Sequence, residues 1–346
     1  MGVGGTKVLV DPQLPGRHRR ALHENLHTPD GRRRKRLTVF IAAATIAVII
    51  TAAVTAFSMR HPAQAGHSAP SHHNSSTTSG SYIGLYAHGA PYSYAPVREF
   101  TAATGVRPNV VVYYSGWNEP FQVGFAKTVA NDGALLLVQI NPTRTSVAAI
   151  AAGRYDGYLS AYAKSIRSYH HPVILSFGHE MNGFWYSWGY RHTSPAVFVA
   201  AWRHIVNLFR AEKTRNVTWL WTINTIHKKT GVPSPGPWWP GNSYVNWVGI
   251  DGYFTNSSAV FASVFGPTIV YVRTLTDHPI LITETSATPA ASQPTKIADL
   301  FAGLNLYRLL GFVWFDSIDK VDWRLTSPAA IAALRRGVER YEGAAR

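Results

Sequence analysis

From residue 82 onward, short apolar runs alternate with longer stretches in which apolar positions recur every three or four residues. Continuous apolar runs suit strands buried on both faces, as in a parallel sheet, and the longer periodicity is that of helices covering such a sheet. Eight runs have the strand form: Ile83–Ala87, Val110–Tyr114, Leu135–Ile140, Val173–Phe177, Val217–Ile223, Trp247–Asp251, Ile280–Glu284 and Phe312–Phe315. Helix starts lie between them. Ser194-Pro195 has the N-cap and N1 form, followed by Phe198, Trp202, Ile205 and Phe209 at helical spacing. Pro294 opens a second helix with Ile297, Leu300, Phe301 and Leu304 on one face, and Ser327-Pro328 a last one with Ile331, Leu334, Val338 and Tyr341. Eight strand–helix units over about 260 residues match the size of a (β/α)8 TIM barrel, with a doubly wound open sheet as the alternative.

The first 81 residues follow another pattern. Residues 1–36 are polar and end in Arg32, Arg33, Arg34, Lys35 and Arg36. Leu37–Met59 then carries no charge over 23 residues, about 34 Å of helix against a hydrocarbon core of about 30 Å. Five cations before the span and only Arg60 just after it predict a single-pass signal anchor with its amino terminus in the cytoplasm and everything beyond it outside. The competing reading is secretion after cleavage near Ala65, in Ala63-Gln64-Ala65. Residues 60–81 contain no large apolar side chain until the barrel begins and form a flexible linker with a reach of about 25 Å. Residues 82–346 make one exported domain, expected to be monomeric.

Charge changes little in this picture. Of the formal net charge of +15, residues 1–36 contribute +6 through nine Lys/Arg against three Asp/Glu. That arm is short and its charges orient the span, so nucleic acid is not an expected partner; the lipid bilayer is, through Leu37–Met59. The absence of cysteine excludes disulfides, thiolate zinc sites and a cysteine nucleophile. Nothing in the residues demands a metal or an organic cofactor.

The chemistry concentrates in two strand ends. Pro172–Tyr190 (PVILSFGHEMNGFWYSWGY) and Pro279–Glu284 (PILITE) each start with proline, run through an apolar stretch and carry a lone glutamate where the strand runs out. On a barrel these would be the fourth and seventh strands, which face each other across the mouth, so Glu180 and Glu284 form a candidate acid/base or acid/nucleophile pair. Phe184, Trp185, Tyr186, Trp188 and Tyr190 follow Glu180 in a loop that should face water, and Trp117, Trp238 and Trp239 lie in other loops. Flat rings with polar tips suit the C–H faces of sugars. His179-Glu180 is not a zinc-protease motif, because Gly183 stands where the second histidine would be, and no G-x-S-x-G elbow, P-loop or G-x-G-x-x-G occurs.

HEMNGFWYSWG at 179–189, WWPGNSYVNWVGIDGY at 238–253 and the strand-end Glu284 together resemble glycoside hydrolase family 26, a clan A family whose best-known members are β-mannanases. The resemblance covers residues from roughly 82 to 343 and implies retaining double-displacement chemistry on a β-linked polysaccharide. It assigns Glu180 as acid/base and Glu284 as nucleophile, puts His179 beside the acid/base and Trp185 next to the scissile bond, and makes Tyr253 a hydrogen-bond donor to the nucleophile. Trp314, at the end of the eighth strand, is a candidate sugar platform. Two departures concern the substrate: Thr285-Ser286-Ala287 follows Glu284 where many relatives have an early glycine, and Gln139-Ile140-Asn141-Pro142 ends the third strand without the expected aromatic and acidic pair. The resemblance favours β-1,4-mannan and leaves mixed-linkage β-glucan and β-1,3-xylan open. The rival from another class is a membrane-tethered carbohydrate-binding domain that no longer turns over.

Overall fold

The computed structural model describes residues 81–227 and 231–344. The basic arm, the span Leu37–Met59, the alternative cleavage site and all but the last residue of the linker lie outside the described residues. Among those described, no helix is long and apolar enough to cross a membrane.

Eight strands form the core: β1 (Tyr82–Ala87), β2 (Val110–Gly116), β3 (Leu135–Asn141), β4 (Val173–Phe177), β5 (Val217–Asn224), β6 (Trp247–Asp251), β7 (Ile280–Thr285) and β8 (Gly311–Asp316). Each pairs in parallel with the next, and β8 pairs with β1, so the sheet closes on itself. Closure decides for the barrel over the open sheet. The helices around it are α1 (Ala95–Thr104), α2 (Val123–Asn131), α3 (Val147–Ala151), α4 (Asp156–Tyr169), α5 (Pro195–Ala211), α6 (Phe261–Val264), α7 (Gly266–Arg273), α8 (Gln293–Leu306) and α9 (Pro328–Ala344). The start of α5 is the expected one, because the Ser194 hydroxyl accepts from the Val197 amide. It buries Phe198, Trp202, Ile205 and Phe209 against the sheet, each worth roughly 2 kcal/mol of transfer free energy. In α9, Leu334 and Tyr341 are buried as expected, whereas Ile331 and Val338 are half-buried.

The two-residue period of the strands sorts side chains between two cores. The larger one fills the layer between sheet and helices; the smaller one, Val110, Val112, Leu137, Ile174, Leu220, Leu281 and Val313, fills the barrel. Two residues further along the same strands the interior turns polar, with Gln139, Ser176, Thr222 and Thr283, all buried. Gly249 occupies the β6 position of this layer, where a Cβ would come within 2.7 Å of the Thr283 hydroxyl and 2.8 Å of the Thr222 hydroxyl. One more step brings Tyr114, Asn141, Asn224 and Asp251 to the mouth. An apolar floor under a polar middle therefore supports a mouth lined with hydrogen-bonding groups.

Two local irregularities aim the glutamates. β7 carries a register shift against both neighbours: Ile250 pairs with Ile282, but Asp251 pairs with Glu284. A bulge of this kind lets consecutive side chains face the same way. Thr283 reaches the interior Asp251, and Glu284 still reaches the mouth. Beyond β4 the backbone enters the left-handed region at Gly178 (φ 57°) and again at Glu180 (φ 54°). That conformation costs a non-glycine residue about 1–2 kcal/mol, and here it follows directly on a buried strand, with the Glu180 amide bonded back to Thr222 of β5.

Candidate active site

Glu180, Asp251 and Glu284 are buried, and each offers a carboxylate oxygen within 4.8 Å of those of the other two. Their hydrogen bonds differ in kind. Glu284 receives two phenols: Tyr253 donates to Oε2 at 2.7 Å, and Tyr114, from the end of β2, donates to Oε1. Glu180 receives two N–H groups, Trp185 Nε1 at 2.7 Å on Oε2 and the Asn224 side-chain amide on Oε1. Asn224 is itself clamped, because Asn182 accepts from its backbone amide and donates to its backbone carbonyl, both at 2.9 Å. Asp251 accepts from Thr283 at 2.6 Å through one oxygen, and its other oxygen has no partner among the described residues.

Burial raises the pKa of all three acids. Glu180 is pushed up to about 8, first by burial and then by the charge of Glu284, with the Asn224 and Trp185 donors opposing. Glu284 is raised by burial alone, and both phenols pull it back. Asp251 lies well above the carboxylate range, through burial and then through repulsion from Glu284 and Glu180. Three carboxyls this close cannot all ionise. The phenols make Glu284 the best place for one negative charge and leave protons on Glu180 and Asp251 near neutral pH. The same three oxygens are close enough to share a cation, but the N–H and O–H groups aimed at them suit the holding of protons and negative charge.

His179 holds this arrangement from the side. Burial lowers its pKa to about 3, so the ring is neutral. Nδ1 lies 2.8 Å from Asn141 Oδ1 and Nε2 3.2 Å from the Tyr186 hydroxyl. An amide oxygen only accepts, so Nδ1 carries the proton and Nε2 accepts from Tyr186. Asn141, part of the departure at the end of β3, is thus the partner that fixes the tautomer.

The predicted aromatics divide sharply. Trp185 and Tyr253 are half-buried at the mouth and touch the glutamates. Trp188 is buried instead: it stacks on Tyr186 at 4.3 Å and donates to the His179 carbonyl at 2.8 Å, supporting the site from behind. Trp314 is 1% exposed and shares the outward parity of Phe312, whose ring packs on Phe301 of α8, so it belongs to the outer core and is no sugar platform. Trp117 is enclosed by Tyr155, Tyr158 and Phe177. Trp238 is 3% exposed, and Trp239 packs edge-on against Trp221 on the outside of the barrel. These rings hold loops and helices to the sheet.

The aromatic wall of the mouth comes from residues the sequence reading passed over. Phe315, one step beyond Trp314, stacks on Tyr86 at 4.7 Å and meets Tyr253 edge-on at 6.1 Å. Tyr253 packs on Trp323 at 4.8 Å, and Tyr86 on Tyr114 at 5.1 Å. Together with His179, Tyr186 and Trp185 they enclose the two glutamates in a nearly continuous band of rings. Strand parity counted along β2 from Val110 and Val112, and along β5 from Leu220, would have found Tyr114 and Asn224, since both occupy inward positions at strand ends.

Residues 137–273 match the profile of the family described as glycosyl hydrolase family 26. Over 277 residues the chain is 28% identical to Endoglucanase H of Acetivibrio thermocellus, a match covering 75% of this chain and 30% of that protein. A further match, 26% identical over 106 residues, is to β-1,3-xylanase TXYA of a Vibrio species and covers 30% of this chain and 22% of that protein. The chain spans less than a third of the length of either curated relative. Among solved structures, a family 26 β-mannanase from Bacteroides ovatus superposes with a TM-score of 0.58 at 14% identity, over 76% of this chain and 90% of the other. A modular endo-β-1,4-mannanase from Cellulomonas fimi gives 0.58 at 16% identity, over 75% and 71%. At such identities the likeness speaks for the fold.

Proposed function

We propose, on the premise that the chain belongs to glycosyl hydrolase family 26, that it is a retaining, endo-acting glycosidase of β-linked polysaccharide with Glu284 as nucleophile and Glu180 as acid/base. One observation carries this reading: two buried carboxyls lie with oxygens within 4.8 Å, one held by phenols and the other raised to about 8. Retention calls for carboxyls about 5–5.5 Å apart, whereas inversion needs about 6.5–9.5 Å to admit a water. In the first step Glu284 attacks the anomeric carbon, the glycosidic C–O bond breaks, and Glu180 gives its proton to the departing oxygen. In the second, Glu180, now ionised, takes a proton from water as the water oxygen displaces Glu284 from the sugar. Tyr114 and Tyr253 hold the nucleophile's charge before and after, and Asp251 keeps its proton beneath it. Trp185 stands on the acid's side, where the leaving sugar would lie.

The substrate we favour is β-1,4-mannan, in line with the named activities of the superposed structures. A second reading, mixed-linkage β-glucan, is favoured by the longer sequence match, to an endoglucanase, and β-1,3-xylan comes third. Reducing-sugar release by the full chain in detergent on mannan, galactomannan, mixed-linkage β-glucan and β-1,3-xylan tests the reading. Mannan is expected to be cleaved fastest, with the β-anomer appearing first by NMR. The α-anomer first would sink the retaining mechanism, and silence on all four, with the barrel folded, would move the weight to another, endogenous polymer or to the binding-domain reading.

We further propose that Leu37–Met59 anchors the chain in the cell membrane with the barrel outside. The full-length protein should then stay with membranes after an alkaline carbonate wash and lose its barrel to external protease. Recovery of a soluble product beginning near residue 66 would favour cleavage instead.

A further inference from the structure

The loop that follows Glu180 carries a cation that the mechanism above does not use. Arg191 is exposed and in the left-handed region at φ 71°. Its guanidinium carbon lies 5.3 Å from the centre of the Tyr190 ring and 5.7 Å from that of Phe184. Cation–π contact of this kind engages the flat face of the group and leaves the in-plane N–H donors free. Among the described residues, no carboxylate lies within ion-pair distance of Arg191 and none accepts a hydrogen bond from it.

This cation is linked to the catalytic acid by a line of rings. Trp185 donates to Glu180 at 2.7 Å, Phe184 meets Trp185 at 5.3 Å, and Arg191 covers Phe184. His192 ties the loop down, its Nε2 2.9 Å from the Phe184 carbonyl. Beside the line lies a depression of about 530 Å³ whose walls include Tyr190, Arg191, Ser194, Ser234 and Trp238. A second of about 350 Å³, reaching towards Thr145 and Ser146, shares His192, Thr193 and Ser194 with it. The indole N–H of Trp238 finds no acceptor among the described residues. The walls thus offer hydroxyls, a pre-set guanidinium and aromatic edges, joined to Glu180 through Phe184 and Trp185.

We propose that this groove holds an anionic substituent of the substrate, so that the polymer is an acidic β-linked glycan whose carboxylate or phosphoryl group is bound by Arg191. The proposal rests on the glycosidase reading and adds to its β-linked backbone an acidic substituent that the four neutral test polymers lack. A guanidinium with unspent donors matches the planar fork of a carboxylate or two oxygens of a phosphate, and the rings beneath it fix its orientation in advance. The charge of the whole chain agrees. Residues beyond the first 36 carry +9 overall, yet Glu180, Asp251 and Glu284 are buried, so the outer surface is more basic than that figure.

The test is binding by the full chain in detergent with Glu284→Gln in place, which separates binding from turnover. Calorimetry at low salt compares a β-linked oligosaccharide bearing a uronosyl unit with the same compound after carboxyl reduction, and with a 6-phosphoryl counterpart. An acidic ligand is expected to bind about tenfold tighter than the neutral one, with the margin shrinking as salt screens the pair. Adding Arg191→Ala should erase that margin and Arg191→Lys should keep part of it, with melting temperatures confirming that both variants fold. Which acidic ligand gains more tells carboxylate from phosphate. Equal binding of acidic and neutral ligands, or a preference that survives Arg191→Ala, overturns the proposal. Since hydrolysis is not measured, a wild-type chain inactive on every polymer would count against the glycosidase and leave this result standing.

Discussion

Glu284→Ala is expected to lower kcat on a polymer by on the order of 10⁵-fold while leaving the barrel folded. The structural cost is modest because two effects oppose. Two phenol hydroxyls, on Tyr114 and Tyr253, lose their acceptor, at about 1–3 kcal/mol each if no water replaces it. The burial of the Glu284 charge, which raises its own pKa, is relieved in return. The space left, capped by the same two phenols, suits a small anion. Azide added with an activated aryl β-glycoside should therefore restore turnover in part and yield the α-glycosyl azide, the product of a single displacement from the face that Glu284 occupied. Activity within tenfold of the wild type, or a β-azide product, would remove Glu284 from the nucleophile's role.

The periodicity in the sequence carried most of the fold, because a barrel interior admits little but apolar residues at its floor and each helix must hide one face. The observed strands start or end within two residues of the apolar runs, and Ser194 caps α5 where the Ser-Pro pair placed it. What escaped was orientation at the mouth. A period of two predicts that Thr283 and Thr285 share a face, but the bulge in β7 lets Glu284 join Thr283 inside, and no residue type announces that shift. Trp314 drew attention because it is large and at a strand end, although parity points it outward and gives the mouth Phe315. Composition misled in the same way at Trp117, Trp188, Trp238 and Trp239. An indole ring is as useful for fastening a helix or loop to a sheet as for meeting a sugar, and only burial tells the two uses apart. Asp251, Tyr114 and Asn224 escaped for the opposite reason, each being an ordinary polar residue whose meaning comes from the neighbours that closure of the barrel supplies.

Glu180→Ala should divide the two chemical steps. On polymer, where the leaving sugar needs a proton, the loss is expected to be on the order of 10³-fold. On a dinitrophenyl β-glycoside, whose leaving group departs without help, glycosylation should proceed at nearly the wild-type rate, while hydrolysis of the intermediate slows because no base activates water. The covalent sugar should then accumulate on Glu284, visible as a burst of phenol and as added mass on the peptide that contains it. The pH profile gives an independent reading. Activity requires Glu284 ionised and Glu180 protonated, so it should rise with pH through the lower apparent pKa of the pair and fall as pH passes about 8, where Glu180 gives up its proton. In Glu180→Ala the falling limb should vanish and the rising limb should stay near its wild-type position, since Glu180 is protonated and uncharged over the range in which Glu284 ionises. A falling limb that persists in this variant would mean that another group supplies the proton. Asp251, whose second oxygen is free of partners among the described residues, would be the first to replace.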